Sequence, residues 1–404
     1  MKGISRFFTL YWIIYFPTCI AYNDLPGFSS IDEIMMGILF VYTLMMYGKR
    51  GTNSRPWKEF IVCLSIIVFY TIYSLCFGEN VSGGVWLDLM QEIRPYSIIF
   101  CTWILNPRFT KRQKKWMLGT MVLTLFSWIA YHPQTLDTQV EAEFPVLGQL
   151  AICTGMSWYL FTKETKRNRN IALLLVLTGM LAPKFKFMGE VVCFIGFVYF
   201  VKNRLNFKSP KTIIYAVLLV TVILMVTWTR FDVYYVSGLS NDELARPMTY
   251  KTSLRILWDY LPFGSGMGSF ACNGAWKFYS PLYFEYNLTN IWGLSPEMGF
   301  FICDAYYPTL AQFGIVGVFF FCWFWKRRLV AFNQIVDMRY YRVAMITFCC
   351  LAIEQTADSS WLSGKGMGFC MLLALCLNAN RNRRMQMLAN GNNSLRVDST
   401  KRVL

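Results

Sequence analysis

Residues 210–229 read PKTIIYAVLLVTVILMVTWT, with a lysine at the second position and no charge after it. A helix needs about 20 mostly apolar residues to cross the hydrocarbon core of a bilayer. This stretch meets that need by itself, and it decides the fold class. The rest of the chain agrees: of 404 residues, 55% are hydrophobic and only 15% charged, against about 25% charged in an ordinary soluble domain. Working outward, the same reading gives twelve candidate spans. They lie near 4–22, 33–48, 57–78, 86–106, 115–132, 144–162, 170–183, 186–202, 210–229, 308–325, 340–356 and 361–379. The expectation is an all-α membrane protein. The first apolar run carries Tyr and Pro and no small-residue cleavage site, so it reads as a span rather than a signal peptide.

The formal charge of +16 is explained by where the basic residues fall. They crowd alternate connections: Lys49 to Lys58, Arg108 to Lys115, Lys163 to Arg169, Lys202 to Lys211, Lys326 to Arg342, and the tail from Arg381 to Arg402. Cytoplasmic loops carry such an excess of Lys and Arg. The pattern places both termini inside and excludes nucleic acid as the reason for the charge. It divides the chain into helices one to nine (1–229), an external loop (230–307), helices ten to twelve (308–379) and a basic cytoplasmic tail (380–404). The tail is polar and reads as disordered near anionic headgroups. The 13 cysteines lie mostly in apolar runs and form no C-x-x-C pair, so they read as small buried hydrophobes. Cys272 and Cys303 share the external loop and are the one pair considered for a bridge. A single histidine, His132, leaves no partners for a zinc site.

Basic residues outside run against the insertion bias, and they mark the candidate site. Arg94 precedes Pro95 in DLMQEIRPY, 88–96, at the external end of span four. Lys184 and Lys186 sit in PKFKF, 183–187, between spans seven and eight. Arg246 and Arg255 lie in the long loop, in LARPMTYKTSLRILWDYLPFGSGMGSF, 244–270. Here Met248 to Tyr260 suit an amphipathic helix on which Lys251 and Arg255, four apart, share a face. Gly264, Gly266 and Gly268 follow as G-x-G-x-G. Glycines permit a close backbone approach to a ligand, here an anion of phosphate type, or else a tight loop at the membrane surface. DAYYPTLAQFGIVG, 304–317, puts Asp304 just before span ten, at the depth for a base facing the outer leaflet. A carboxylate favoured by the helix dipole is the plainer account of it. EQTADSSW, 354–361, adds Glu354 and Asp358 as secondary acid/base candidates.

These features together resemble the O-antigen polymerase and O-antigen ligase superfamily of bacterial inner-membrane proteins. The loop's AR…S…YLPFGSGMGSF is similar to the family's Arg-containing stretch followed by P-x-G-x-G. DAYYPTLAQFGIVG resembles its span-entry pattern ending G-x-x-G, and PKFKF a variant of its Arg-x-Lys signature. The resemblance covers roughly 85–378. It implies transfer of a glycan from undecaprenyl diphosphate at the outer face of the inner membrane, onto the next lipid-linked repeat in polymerases or onto lipid A core in ligases. It implies Lys184, Lys186, Arg246 and Arg255 as diphosphate contacts, Arg94 as a further one, and neither metal nor cofactor. The expected partners are the lipid-linked donor and acceptor, membrane lipids and a chain-length regulator. Ligases carry a His-Asn pair where this chain has Cys303-Asp304, which turns the expectation towards a polymerase with Asp304 as base. Arg255→Ala is expected to abolish polymer. The rivals are a metal-dependent transferase using first-loop carboxylates (Asp24, Asp32, Glu33) and a lipid-linked glycan flippase or transporter. Transporters show internal repeats, and this sequence has none.

Overall fold

The computed structural model describes residues 2–24, 28, 30–47, 54–131, 145–181, 184–206, 208–241 and 243–379. His132 and the 380–404 tail lie outside them. The described residues are helical, with no strand among them: α1 (Lys2–Asp24), α2 (Ile31–Tyr47), α3 (Arg55–Phe77), α4 (Ser82–Leu105), α5 (Lys111–Tyr131), α6 (Pro145–Phe161), α7 (Lys166–Leu177), α8 (Phe185–Ile195), α9 (Pro210–Tyr235), α10 (Ala245–Asp259), α11 (Asn273–Lys277), α12 (Leu282–Glu285), α13 (Gly314–Asn333), α14 (Met338–Ala357) and α15 (367–379). Each of the twelve apolar runs is occupied by a helix. Among the described residues, four helical segments are long and apolar enough to cross a membrane: Lys2–Tyr22, Arg55–Phe77, Pro210–Tyr235 and Tyr307–Asn333.

Local chemistry sets several boundaries. Proline occupies the first turns of α3 and α9, where its missing N–H costs nothing. Thr165 caps α7 by accepting the Asn168 N–H, and Asp337 caps α14 by accepting that of Arg339. The α9 helix lies at the periphery. Most of its apolar side chains are exposed and none is buried, as suits a helix whose solvent is lipid.

Two cores form. The larger fills the bundle around Trp12, Phe60, Phe100, Phe324, Trp325 and Trp361. The smaller lies inside the long loop, where Ile256, Phe270, Cys272, Leu282, Tyr283 and Leu294 pack together. The loop's aromatics therefore divide. Phe270 and Tyr283 stack at 5.5 Å in that core, while Trp258, Phe284 and Trp292 are exposed. Cys272 and Cys303 are both free thiols. The loop layer also takes in the first turns of α4, where Gly83 meets Phe278 and Gly84 meets Gly274.

Candidate functional site

The ends of α2, α8, α14 and α15 gather at one end of the bundle, together with α10 and the segment before Tyr307. Most of the sequence-nominated charges meet there. On α10, Arg246 donates from Nε to Asp304 Oδ2 at 2.6 Å and from Nη2 to the same oxygen at 2.5 Å. The guanidinium lies 4.2 Å from the Tyr234 ring centroid. At the start of α8, Lys186 donates to Glu354 Oε2 at 2.6 Å and Asp358 Oδ2 at 2.7 Å. Lys365 approaches Asp358 at 3.7 Å. Ser359 joins the two groups by donating its hydroxyl to the Cys303 carbonyl at 2.7 Å. Tyr235 and Tyr250 both donate to the Thr356 carbonyl, at 2.6 and 3.0 Å, and tie α9 and α10 to the end of α14.

The electrostatics follow from this crowding. Burial pushes the Asp304 carboxyl above its ordinary value, and the Arg246 guanidinium offsets only part of that. Asp358 goes the other way: burial would raise it, but Lys186 and Lys365 outweigh burial and hold it below its ordinary value. Burial and the Lys186 ammonium push Lys184 down. Lys184 makes no ion pair with any described residue, so it is the cation of this group left open to an arriving anion.

Arg94 lies on the same side but deeper. The α4 helix begins at Ser82, so Arg94 stands twelve residues in, about 18 Å along the helix, and not at its external end. It is buried, 2% exposed, pairs with Asp32 at 2.8 Å and with Glu33, and donates to the Leu362 carbonyl. Tyr22 stands within electrostatic reach of both this group and Asp358. Arg255 is nine residues beyond Arg246 on α10, about 13 Å, exposed and with no hydrogen bond or ion pair to a described residue.

The glycine run follows the cis peptide Leu261-Pro262, and all three glycines have positive φ: 84° at Gly264, 92° at Gly266 and 79° at Gly268. Their N–H groups are taken internally. Gly264 donates to the Tyr260 carbonyl and Gly266 to that of Gln312. Gly268 donates to Asp88 Oδ2 and Gln312 Oε1, both at 3.0 Å. The turn thus does hold an anion, and that anion is the chain's own Asp88, which Gln312 Nε2 also reaches at 2.7 Å. A side chain on Gly268 would put Cβ 2.6 Å from the Gly84 carbonyl. Gly268→Ala is therefore expected to lower stability by about 1–3 kcal/mol from the backbone conformation alone. Thermal unfolding in detergent reads this, and an unchanged midpoint would contradict the packing role.

Several members of the site are not among the residues nominated from sequence. Gln149 on α6 donates from Nε2 to Glu354 Oε2 at 2.9 Å and Ser360 Oγ at 2.7 Å. Glu190 on α8 is fully buried beside Glu354, and neither of its oxygens has a hydrogen-bond partner. A signal for both existed, since each is a polar residue inside an apolar run. Compared with protein-family models and with curated proteins, the chain matches none. A carboxylate of raised basicity, held against an arginine and within electrostatic reach of Lys186, can accept a proton while neighbouring cations take up negative charge.

Proposed function

We propose that this chain polymerises undecaprenyl-diphosphate-linked oligosaccharide repeats at the outer face of the bacterial inner membrane. In this reading the twelve helices on the apolar runs all span, both termini are cytoplasmic and 230–307 is external. The observation that carries it is the meeting of Arg246 and Asp304 with Lys184 and Lys186 at one end of the bundle. Asp304 takes the proton from the acceptor sugar hydroxyl as that oxygen attacks the anomeric carbon of the donor. The anomeric carbon–oxygen bond breaks, and its electron pair leaves on the lipid diphosphate. Lys184, Lys186 and Arg246 balance the charge that builds there. Chemistry of this kind asks for no cofactor. Arg94, with its side chain 2% exposed against 11% for Lys186 and set deeper along α4, supports the fold beneath the diphosphate, and Arg255 meets the glycan as it arrives. A chain-length regulator would dock beside the external loop.

The deeply buried Glu190 and Glu92 favour one other reading, a lipid-linked glycan flippase, since intramembrane acids often mark transport paths. The ligase alternative lacks the His-Asn pair. Arg246→Ala separates these. It should abolish polymer in a membrane preparation supplied with lipid-linked repeats while abundance stays at the parent level. Arg246→Lys should restore part of the activity, because a lysine keeps the charge and loses the two-pronged contact. Arg255→Ala, expected from sequence alone to abolish polymer, should here only shorten chains, because Arg255 lies about 13 Å along α10 from Arg246. Parental chain lengths in Arg246→Ala would remove the diphosphate role.

A further inference from the structure

The α13 and α14 helices are joined by a short connection, 334–337, yet they diverge. Between them lies an open cavity of about 470 Å³ lined by Phe321, Trp325, Leu329, Phe348, Ala352 and Gln355, among others. On α13 the lining positions from 321 to 333 repeat at helical spacing over about 18 Å. The floor is aromatic: Trp325 packs against Phe348 at 5.2 Å and Trp361 at 5.4 Å. Three wall residues break the apolar pattern: Lys326 and Asn333 on α13, and Gln355 on α14. Gln355 is 1% exposed, and its Oε1 has no hydrogen-bond partner.

The position of Gln355 ties the groove to the charged site. Its backbone carbonyl accepts the Tyr306 N–H at 3.1 Å, two residues after Asp304. Its neighbour Glu354 holds Lys186. At the same end Tyr307 donates to the Ala352 carbonyl at 3.0 Å. The groove therefore opens beside the cations and runs from there along α13. A mostly apolar channel with a few placed polar groups, here Gln355 at its head and Lys326 and Asn333 further along α13, is the usual form of a site for an amphipathic ligand.

We propose that this groove holds the isoprenoid tail of a lipid diphosphate, with the Gln355 amide beside the phosphate-bearing end. The proposal rests on the functional reading above. With the diphosphate at Lys184, Lys186 and Arg246, the tail must leave from that end, and the groove begins there. It lies between a single pair of helices, which suits one unbranching chain better than the two chains of a phospholipid. The amide can offer N–H to a phosphate ester oxygen without adding a charge.

The test uses the full-length chain in phosphatidylcholine vesicles and an isoprenyl diphosphate with a benzophenone on its tail. Crosslinked peptides should map to 321–333 and 348–355, and labelling should be lost with excess undecaprenyl phosphate but not with equal phosphatidylglycerol. Ala352→Trp, which fills the groove from α14, should remove the label, and Leu329→Trp from the opposite wall serves if that variant misfolds. Labels elsewhere, or equal displacement by phosphatidylglycerol, would overturn the proposal. A polymer assay on the same vesicles separates the two claims. Polymer without groove labelling sinks the groove alone. Groove labelling without polymer sinks the polymerase reading and leaves the lipid site standing.

Discussion

Asp304→Asn gives a chain that folds as the parent does and makes almost no polymer. The amide keeps the shape and still accepts from Arg246, but it cannot take a proton from a sugar hydroxyl. Loss of a general base lowers turnover by about 10²–10⁴-fold. The effect falls on kcat. KM stays level or drops, because removing a negative charge beside Arg246 frees the guanidinium for the donor diphosphate. The parent's pH profile carries the same signature. Burial raises the Asp304 carboxyl above its ordinary value, and the base works only when ionised. Activity should therefore fall as pH drops through a point above the ordinary carboxylate value of about 4. In Asp304→Asn that acid limb disappears from the residual rate. Initial rates against pH with a synthetic lipid-diphosphate repeat measure both, and an unchanged kcat in the variant would remove Asp304 from the chemistry.

Arg94→Met fails differently: the chain is lost before its activity can be assayed. Arg94 stands between Asp32 and Glu33 with its side chain 2% exposed. Removing one partner of a buried charge group leaves the others unpaired, which costs about 3–5 kcal/mol. The expected result is low abundance and a depressed unfolding midpoint in detergent. Restoring neutrality with Asp32→Asn and Glu33→Gln in the same chain should recover abundance in part. Parental stability in Arg94→Met would show that the pairs contribute little.

The contrast between these two residues shows what the sequence made legible. Apolar length was enough to find the helices, because a run of about 20 apolar residues leaves few other ways to satisfy its backbone. The helix expected over Met248 to Tyr260 is present as Ala245–Asp259, since its apolar face and Pro262 stop it locally. Depth was harder. Ser82, Gly83 and Gly84 discourage a helix in isolation, and the apolar run that marks span four begins only at 86. In the fold those glycines lie against Phe278 and Gly274, the helix starts at Ser82, and Arg94 moves inward. Asp88 as the partner of the glycine turn was equally hidden, because it depends on a contact across 180 residues of chain. The same holds for Lys186 with Glu354 and Asp358. Each was nominated alone for its charge, and only packing of α8 against α14 joins them.

Deleting the gene in its host and resolving the surface glycan on a gel tests the polymerase reading. A polymerase predicts that the ladder collapses to a core bearing a single repeat, and that the parental gene, but not Asp304→Asn, restores it. Loss of all capped core with long lipid-linked polymer accumulating would point to a ligase instead. An unchanged ladder would contradict the glycan reading altogether.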